Sequence, residues 1–171
     1  MSITPRLFLS LMLLALAVSG CARRSSTIPG TKIADDRINR EVVKAVEDYR
    51  VAVEKGDAEG LFLMASDKYF EDSGTAVGTD DYGYDGLKEV LVGRFRMAHD
   101  IRYAMKYVRI ERSCGDTQPV PTGCVAKVEV LIDASFTTLD ARGQDRRTDK
   151  RDQNELVLEW TGDRWKFLAG L

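Results

Sequence analysis

The side chains that a reaction would need are few in kind and scattered along the chain. There is a single histidine, His99, followed by Asp100. No serine or cysteine signature of an activated nucleophile lies near it, which excludes a Ser-His-Asp hydrolase of the common sort. His99 falls where a predicted helix ends, the place for a helix C-terminal cation. No Gly-rich phosphate loop follows a strand. Acid–base chemistry would instead need a carboxylate whose pKa is raised by apolar surroundings, beside a hydroxyl donor. The candidate bases are Asp67, Glu71 and Asp72, with Tyr49, Tyr69, Tyr82 and Tyr84 as donors. The alternative makes Tyr49 and Tyr69 core residues and Asp67 and Asp72 turn caps. A sharper pattern lies further on, where the alternation of Leu156, Leu158 and Trp160 extends backwards to Asn154 and Asp152. These polar groups face a pocket if the strand is still in the core, and solvent if it has left. The run Thr79-Asp80-Asp81-Tyr82-Gly83-Tyr84-Asp85-Gly86 lacks the acid spacing and closing Glu of a calcium loop. It is read as a turn whose aromatics pack over a pocket entrance, and no metal or other cofactor is expected.

Three cysteines remain to be placed. Cys114 and Cys124 bracket Gly115-Asp116-Thr117-Gln118-Pro119-Val120-Pro121-Thr122-Gly123, a turn-rich loop between two strand-like runs, and a disulfide closing it is expected. The rival, a redox or metal pair, lacks a Cys-x-x-Cys spacing and a second histidine. Cys21 has a different context. Arg6 precedes an apolar run from Leu7 to Val18, too short to span a bilayer stably but suited to a signal peptide. The run ends in Val18-Ser19-Gly20-Cys21, which resembles the lipobox of bacterial lipoproteins. That resemblance implies cleavage before Cys21, acylation of its thiol and amine, and attachment to a membrane through several acyl chains. Ala22 stands where lipoproteins kept at the inner membrane often carry Asp, so the resemblance implies the outer membrane, facing the periplasm. A polar tether with Pro29 and Gly30 follows.

The 171 residues carry a net charge of −2 and no basic stripe, which argues against a nucleic-acid partner. Arg142, Arg146, Arg147, Lys150 and Arg151 are interleaved with Asp140, Asp145, Asp149 and Asp152, as on a solvated hairpin tip.

The elements that must position the candidates are legible in the periodicity. Ile38, Val42, Val46, Tyr49 and Val53 share one face of a helix capped by Asp35 or Asp36 and ending at Lys55. Gly56 stops it, and Asp57 caps a second helix carrying Leu61, Phe62, Met64 and Ala65. A loop from Glu71 to Tyr84 leads to a third helix, capped by Asp85 and running from Gly86 to about Ala98. The period then changes to two. Ile101, Tyr103, Met105 and Tyr107 alternate, with a slip before Val108 and Ile110 that indicates a bulge. A long strand carries Ala126 to Phe136, and Asp140-Ala141-Arg142-Gly143 turns into the strand of Leu156 to Trp160. Thr161-Gly162-Asp163 turns again into a strand with Trp165, Phe167 and Ala169. Three helices followed by antiparallel strands make an α+β fold.

The segment from Tyr49 to Leu61 with its Gly56-Asp57 hinge, then Tyr69-Phe70, and finally Gly162-Asp163-Arg164-Trp165-Lys166-Phe167, together resemble the nuclear transport factor 2-like superfamily of ketosteroid isomerases and polyketide cyclases. The resemblance covers about residues 36–171. It implies a cone-like half-barrel, N-terminal helices packed on a curved, mainly antiparallel sheet, with a pocket at the open end. In this group the pocket and not the fold decides function. The chain thus divides into a signal peptide (1–20), a lipidated cysteine with flexible tether (21–35) and the domain (36–171). The expected role is a non-enzymatic module that binds a small apolar ligand or an envelope protein; a homodimer is left open. The alternative is an isomerase, dehydratase or cyclase with a pocket carboxylate as base. A buried carboxylate beside a tyrosine hydroxyl would favour the enzyme, and a pocket plugged by Trp160, Trp165 or Phe136 would favour surface contacts.

Overall fold

A computed structural model describes residues 26–72 and 80–171. Helix α1 (Arg37–Lys55) begins where the Asp36 side chain accepts from the Asn39 amide and ends at Gly56, which takes the left-handed conformation a C-terminal cap needs. Its buried face is Ile38, Val42, Val46, Tyr49 and Ala52. Val53, expected on that face, is only partly covered because it borders a cavity. Asp57 caps the short α2 (Ala58–Met64) through the Gly60 amide.

The segment between α2 and the next helix is more ordered at its ends than a loop. Strands β1 (Phe70–Glu71) and β2 (Tyr82–Gly83) pair antiparallel, so Tyr82 sits in a ladder opposite Glu71. Helix α3 (Tyr84–Met97) starts two residues earlier than the periodicity suggested. Gly83 occupies its cap position without a side-chain bond, and Asp85 lies inside the first turn, where a carboxylate complements the helix dipole. Leu87 and Leu91 are its buried residues.

The main sheet is antiparallel throughout, in the order β3 (Ala98–Arg112), β4 (Val125–Leu139), β5 (Asp145–Trp160), β6 (Trp165–Ala169). Helix α3 passes into β3 without a linker, which corrects the placement of His99. It is a strand residue paired with Thr137, and its Nε2 lies 3.5 Å from Asp145. The expected bulge is present between Tyr107 and Arg109, and a second irregularity lies between His99 and Arg102. Ala126, Val128, Val130, Ile132 and Ala134 of β4 face the helices and are buried, as are Leu156 and Leu158 of β5. The outer face carries ion pairs such as Arg109–Glu129, Lys127–Glu155 and Arg151–Asp133. The β4–β5 hairpin tip is exposed, as its charge pattern requires, and Asp140 closes it by accepting from the Arg142 and Gln144 amides. The whole is α+β, helices packed on one curved antiparallel sheet.

Two further features bear on the domain's edges. Cys114 and Cys124 are disulfide-bonded, with Cα atoms 5.4 Å apart. Residues from Ser26 to Asp35, expected in the flexible tether, fold back as a tight turn. Thr27 bridges Ala34, the Ile28 amide donates to Ile33 at 2.9 Å, and Ile33 is buried. Two isoleucines in an otherwise polar stretch suffice to fasten it to the core.

Candidate functional site

A cavity of about 580 Å³ opens between α1, α3 and the inner face of β3–β5, with Gly170 and Leu171 on its lining. That volume suits a small organic ligand. Its walls are mainly apolar because each contributing element turns apolar side chains inward: Val53 from α1, Leu91 and Phe95 from α3, Ile101 from β3, Ile132 and Phe136 from β4. Trp160 and Trp165 lie elsewhere, 5.6 Å apart along a separate surface groove, so they do not plug it.

The polar groups on this lining are few. Tyr49 from α1 and Tyr103 from β3 meet edge to face, with hydroxyl oxygens 3.0 Å apart. Burial pushes both phenols above their ordinary pKa, so both stay protonated near neutral pH. Two hydroxyl protons serve one mutual hydrogen bond, and among the described residues no other acceptor takes the second. Arg94 also lines the cavity; its guanidinium donates to the Tyr82 hydroxyl and the Leu171 main-chain oxygen, each at 3.1 Å. Asp152 and Asn154 share the face of Leu156, as the alternation predicted, and both reach the lining. Asp152 is exposed, and Lys150 at 2.9 Å holds its carboxyl below the usual range, helped by the Gln153 amide. Asn154 points its amide toward the Gly170 carbonyl at 3.4 Å.

The remaining candidates from sequence are not brought to this cavity. Asp67 is exposed and borders a separate surface hollow with Ser66 and Lys166. Asp72 is exposed at the edge of the described segment. The Tyr69 hydroxyl donates to Glu71 at 2.8 Å, so Tyr69 and Glu71 work as a pair behind the cavity wall. Tyr82 stacks on Tyr69 and touches the site only through Arg94. Tyr84 stacks on Phe62, with ring centroids 4.5 Å apart. Cys21 and Thr79 lie outside the described residues. Sequence reading missed Tyr103 as a polar site residue. The available signal was a tyrosine inside an otherwise apolar inward register, because a buried phenol hydroxyl needs a partner.

No protein-family profile and no curated protein sequence matches the chain. Solved structures do. A ketosteroid isomerase-like protein from Erwinia carotovora atroseptica superposes with a TM-score of 0.58 at 16% identity, over 78% of this chain and 93% of that one. A candidate scytalone dehydratase from Novosphingobium aromaticivorans gives 0.58 at 14% identity, over 77% and 80%. A candidate dehydratase of the NTF2-like (nuclear transport factor 2-like) family from Streptomyces avermitilis gives 0.52 at 15%, over 77% and 91%. At these identities the likeness is one of fold, and the fold is NTF2-like.

Proposed function

We propose that this chain is a lipid-anchored periplasmic binding module whose cavity takes a small, mainly apolar ligand bearing one acceptor oxygen. The observation that carries the reading is the Tyr49–Tyr103 hydroxyl pair set among apolar walls. Tyr49 is the more deeply buried of the two, so the spare proton is assigned to Tyr103, polarised by the bond it accepts. An apolar ligand gains affinity from the walls and orientation from that single donor. The anchor rests on the Leu7–Val18 run and on Val18-Ser19-Gly20-Cys21; Ala22 supports the outer membrane as its place.

A second reading, an isomerase or dehydratase, draws on how similar structures are described. It needs a pocket base with a raised pKa. Asp152 is the acidic residue on the described lining, and it is exposed, paired with Lys150 and shifted downward. That environment favours binding over proton abstraction.

The test is native mass spectrometry of the full chain carrying Cys21→Ser, purified from the periplasm without detergent, followed by calorimetric titration with straight-chain methyl ketones. A copurifying small molecule or saturable ketone binding is expected. Tyr103→Phe should weaken ketone binding about five- to tenfold, the value of one hydrogen bond, and should also cost about 1–3 kcal/mol of stability because the buried Tyr49 hydroxyl loses its acceptor, so the variant is titrated at a temperature where it is fully folded. Absence of both a bound molecule and ketone binding would refute the proposal.

A further inference from the structure

Two residues on the cavity lining, Gly170 and Leu171, are held in place by four side chains. The Gly170 amide donates to the Glu71 carboxylate at 2.8 Å, and the Leu171 amide donates to the Tyr69 hydroxyl at 3.1 Å. Tyr69 in turn donates to the same Glu71 oxygen, so the two amides are read by one coupled pair. From the other side Arg94 of α3 donates to the Leu171 oxygen, and Asn154 of β5 approaches the Gly170 oxygen. Both amides and two main-chain oxygens of the dipeptide are thereby engaged by side chains, from the β1 segment, α3 and β5.

The backbone is fixed as tightly as its hydrogen bonds. Gly170 has φ +93°, a conformation side chains disfavour, and a Cβ there would stand 2.8 Å from the Glu155 carbonyl. Just before it the β5–β6 ladder slips by one residue: Leu158 pairs with Phe167, and Val157 with Ala169. This bulge redirects the chain, and Leu171 ends buried, at 8% exposure, on the cavity lining.

We propose that Gly170–Leu171 is a latched end wall, and that the Leu171 side chain sets how long a ligand the cavity accepts. This rests on the cavity being the binding site proposed above. Tyr69, Glu71, Arg94 and Asn154 are positioning residues that hold the Gly170–Leu171 backbone; Arg94 and Asn154 also stand on the cavity lining. Four side chains spent on one dipeptide keep the end wall from giving way, so a ligand that is too long is excluded and not accommodated by collapse of the segment.

The experiment is calorimetric titration of the full chain carrying Cys21→Ser with a homologous series of methyl ketones. In the parent chain affinity should rise with ketone length to a cut-off. Leu171→Ala should move that cut-off to ketones about two to three carbons longer, each newly accepted methylene tightening binding about fourfold. Leu171→Phe should move it the opposite way. A purely structural role for Leu171 would shift stability without moving the length preference. The same cut-off in both variants overturns the end-wall assignment and leaves the binding site standing; no ketone binding by parent or variants overturns both.

Discussion

Glu159 shows how a single buried charge is tolerated in this fold. It is 5% exposed, accepts a hydrogen bond from the Ser66 hydroxyl, and receives the Lys68 ammonium at 2.8 Å. Burial alone would push its carboxyl up, but the bonds from Lys68 and Ser66 outweigh it and hold the pKa below the ordinary 4.5. The contribution to stability is therefore complete above about pH 5 and is lost as the pH falls through the lowered folded-state pKa. Glu159→Gln should flatten the acid side of the stability profile in denaturant titrations at neutral pH and near pH 3; an unchanged slope would contradict the assignment. Glu159→Ala, which removes the carboxylate shared by Ser66 and Lys68 and leaves the Ser66 hydroxyl only the 3.2 Å contact to Asp67, should cost about 1–2 kcal/mol at neutral pH. The cluster ties the turn after α2 to the sheet, as do the Ser66 amide to Phe167 bond and the Ala65–Phe167 bridge. None of this was legible in the sequence, because Ser66 and Glu159 lie far apart along the chain and only their meeting makes the charge bearable.

The strands and their connections were far more legible. Alternation placed the inner face of β4 and β5, including Asp152 and Asn154, and the slip at Tyr107 marked a bulge that exists. Turn residues marked both final hairpins, since Gly143 and Gly162 each adopt positive φ. The disulfide was readable because two cysteines flanked a turn-rich loop. Breaking it should lower the melting temperature by about 5–10 °C, the effect of releasing a short loop in a domain of this size. Scanning calorimetry with and without reductant measures it, and an equal transition with both thiols alkylated would show that the bond carries no stability. The junction of α3 and β3 was misjudged for a physical reason. Ala98 and His99 suit either element, and only pairing with Thr138 and Thr137 decides that they are strand.

For the molecule entire, the open question is where it sits. Among the described residues no helix is long and apolar enough to cross a bilayer. The proposed attachment depends on Cys21, outside the described residues, and on the acyl chains its sequence context implies. Cys21→Ala should move the protein from the membrane pellet to the soluble periplasmic fraction and abolish palmitate labelling; unchanged retention with unchanged labelling would defeat the anchor. The folded part begins closer to that cysteine than composition suggested, since the turn from Ser26 to Asp35 packs on the domain. The cavity would then be held near the membrane on a short tether.

Sequence by itself determined the α+β order of elements, the inward register of the long strands and the disulfide. Each of these is written in local periodicity, turn chemistry or spacing, which neighbouring residues enforce on one another. Only the tertiary structure decided what the cavity is made of. Tyr49, Arg94, Tyr103, Asp152 and Leu171 come from separate elements, and their convergence depends on the angle at which the helices cross a curved sheet. It also decided that Asp67 faces solvent and that Tyr69 and Glu71 hold the Gly170 and Leu171 amides, because a carboxylate's role follows from the partners the fold brings to it.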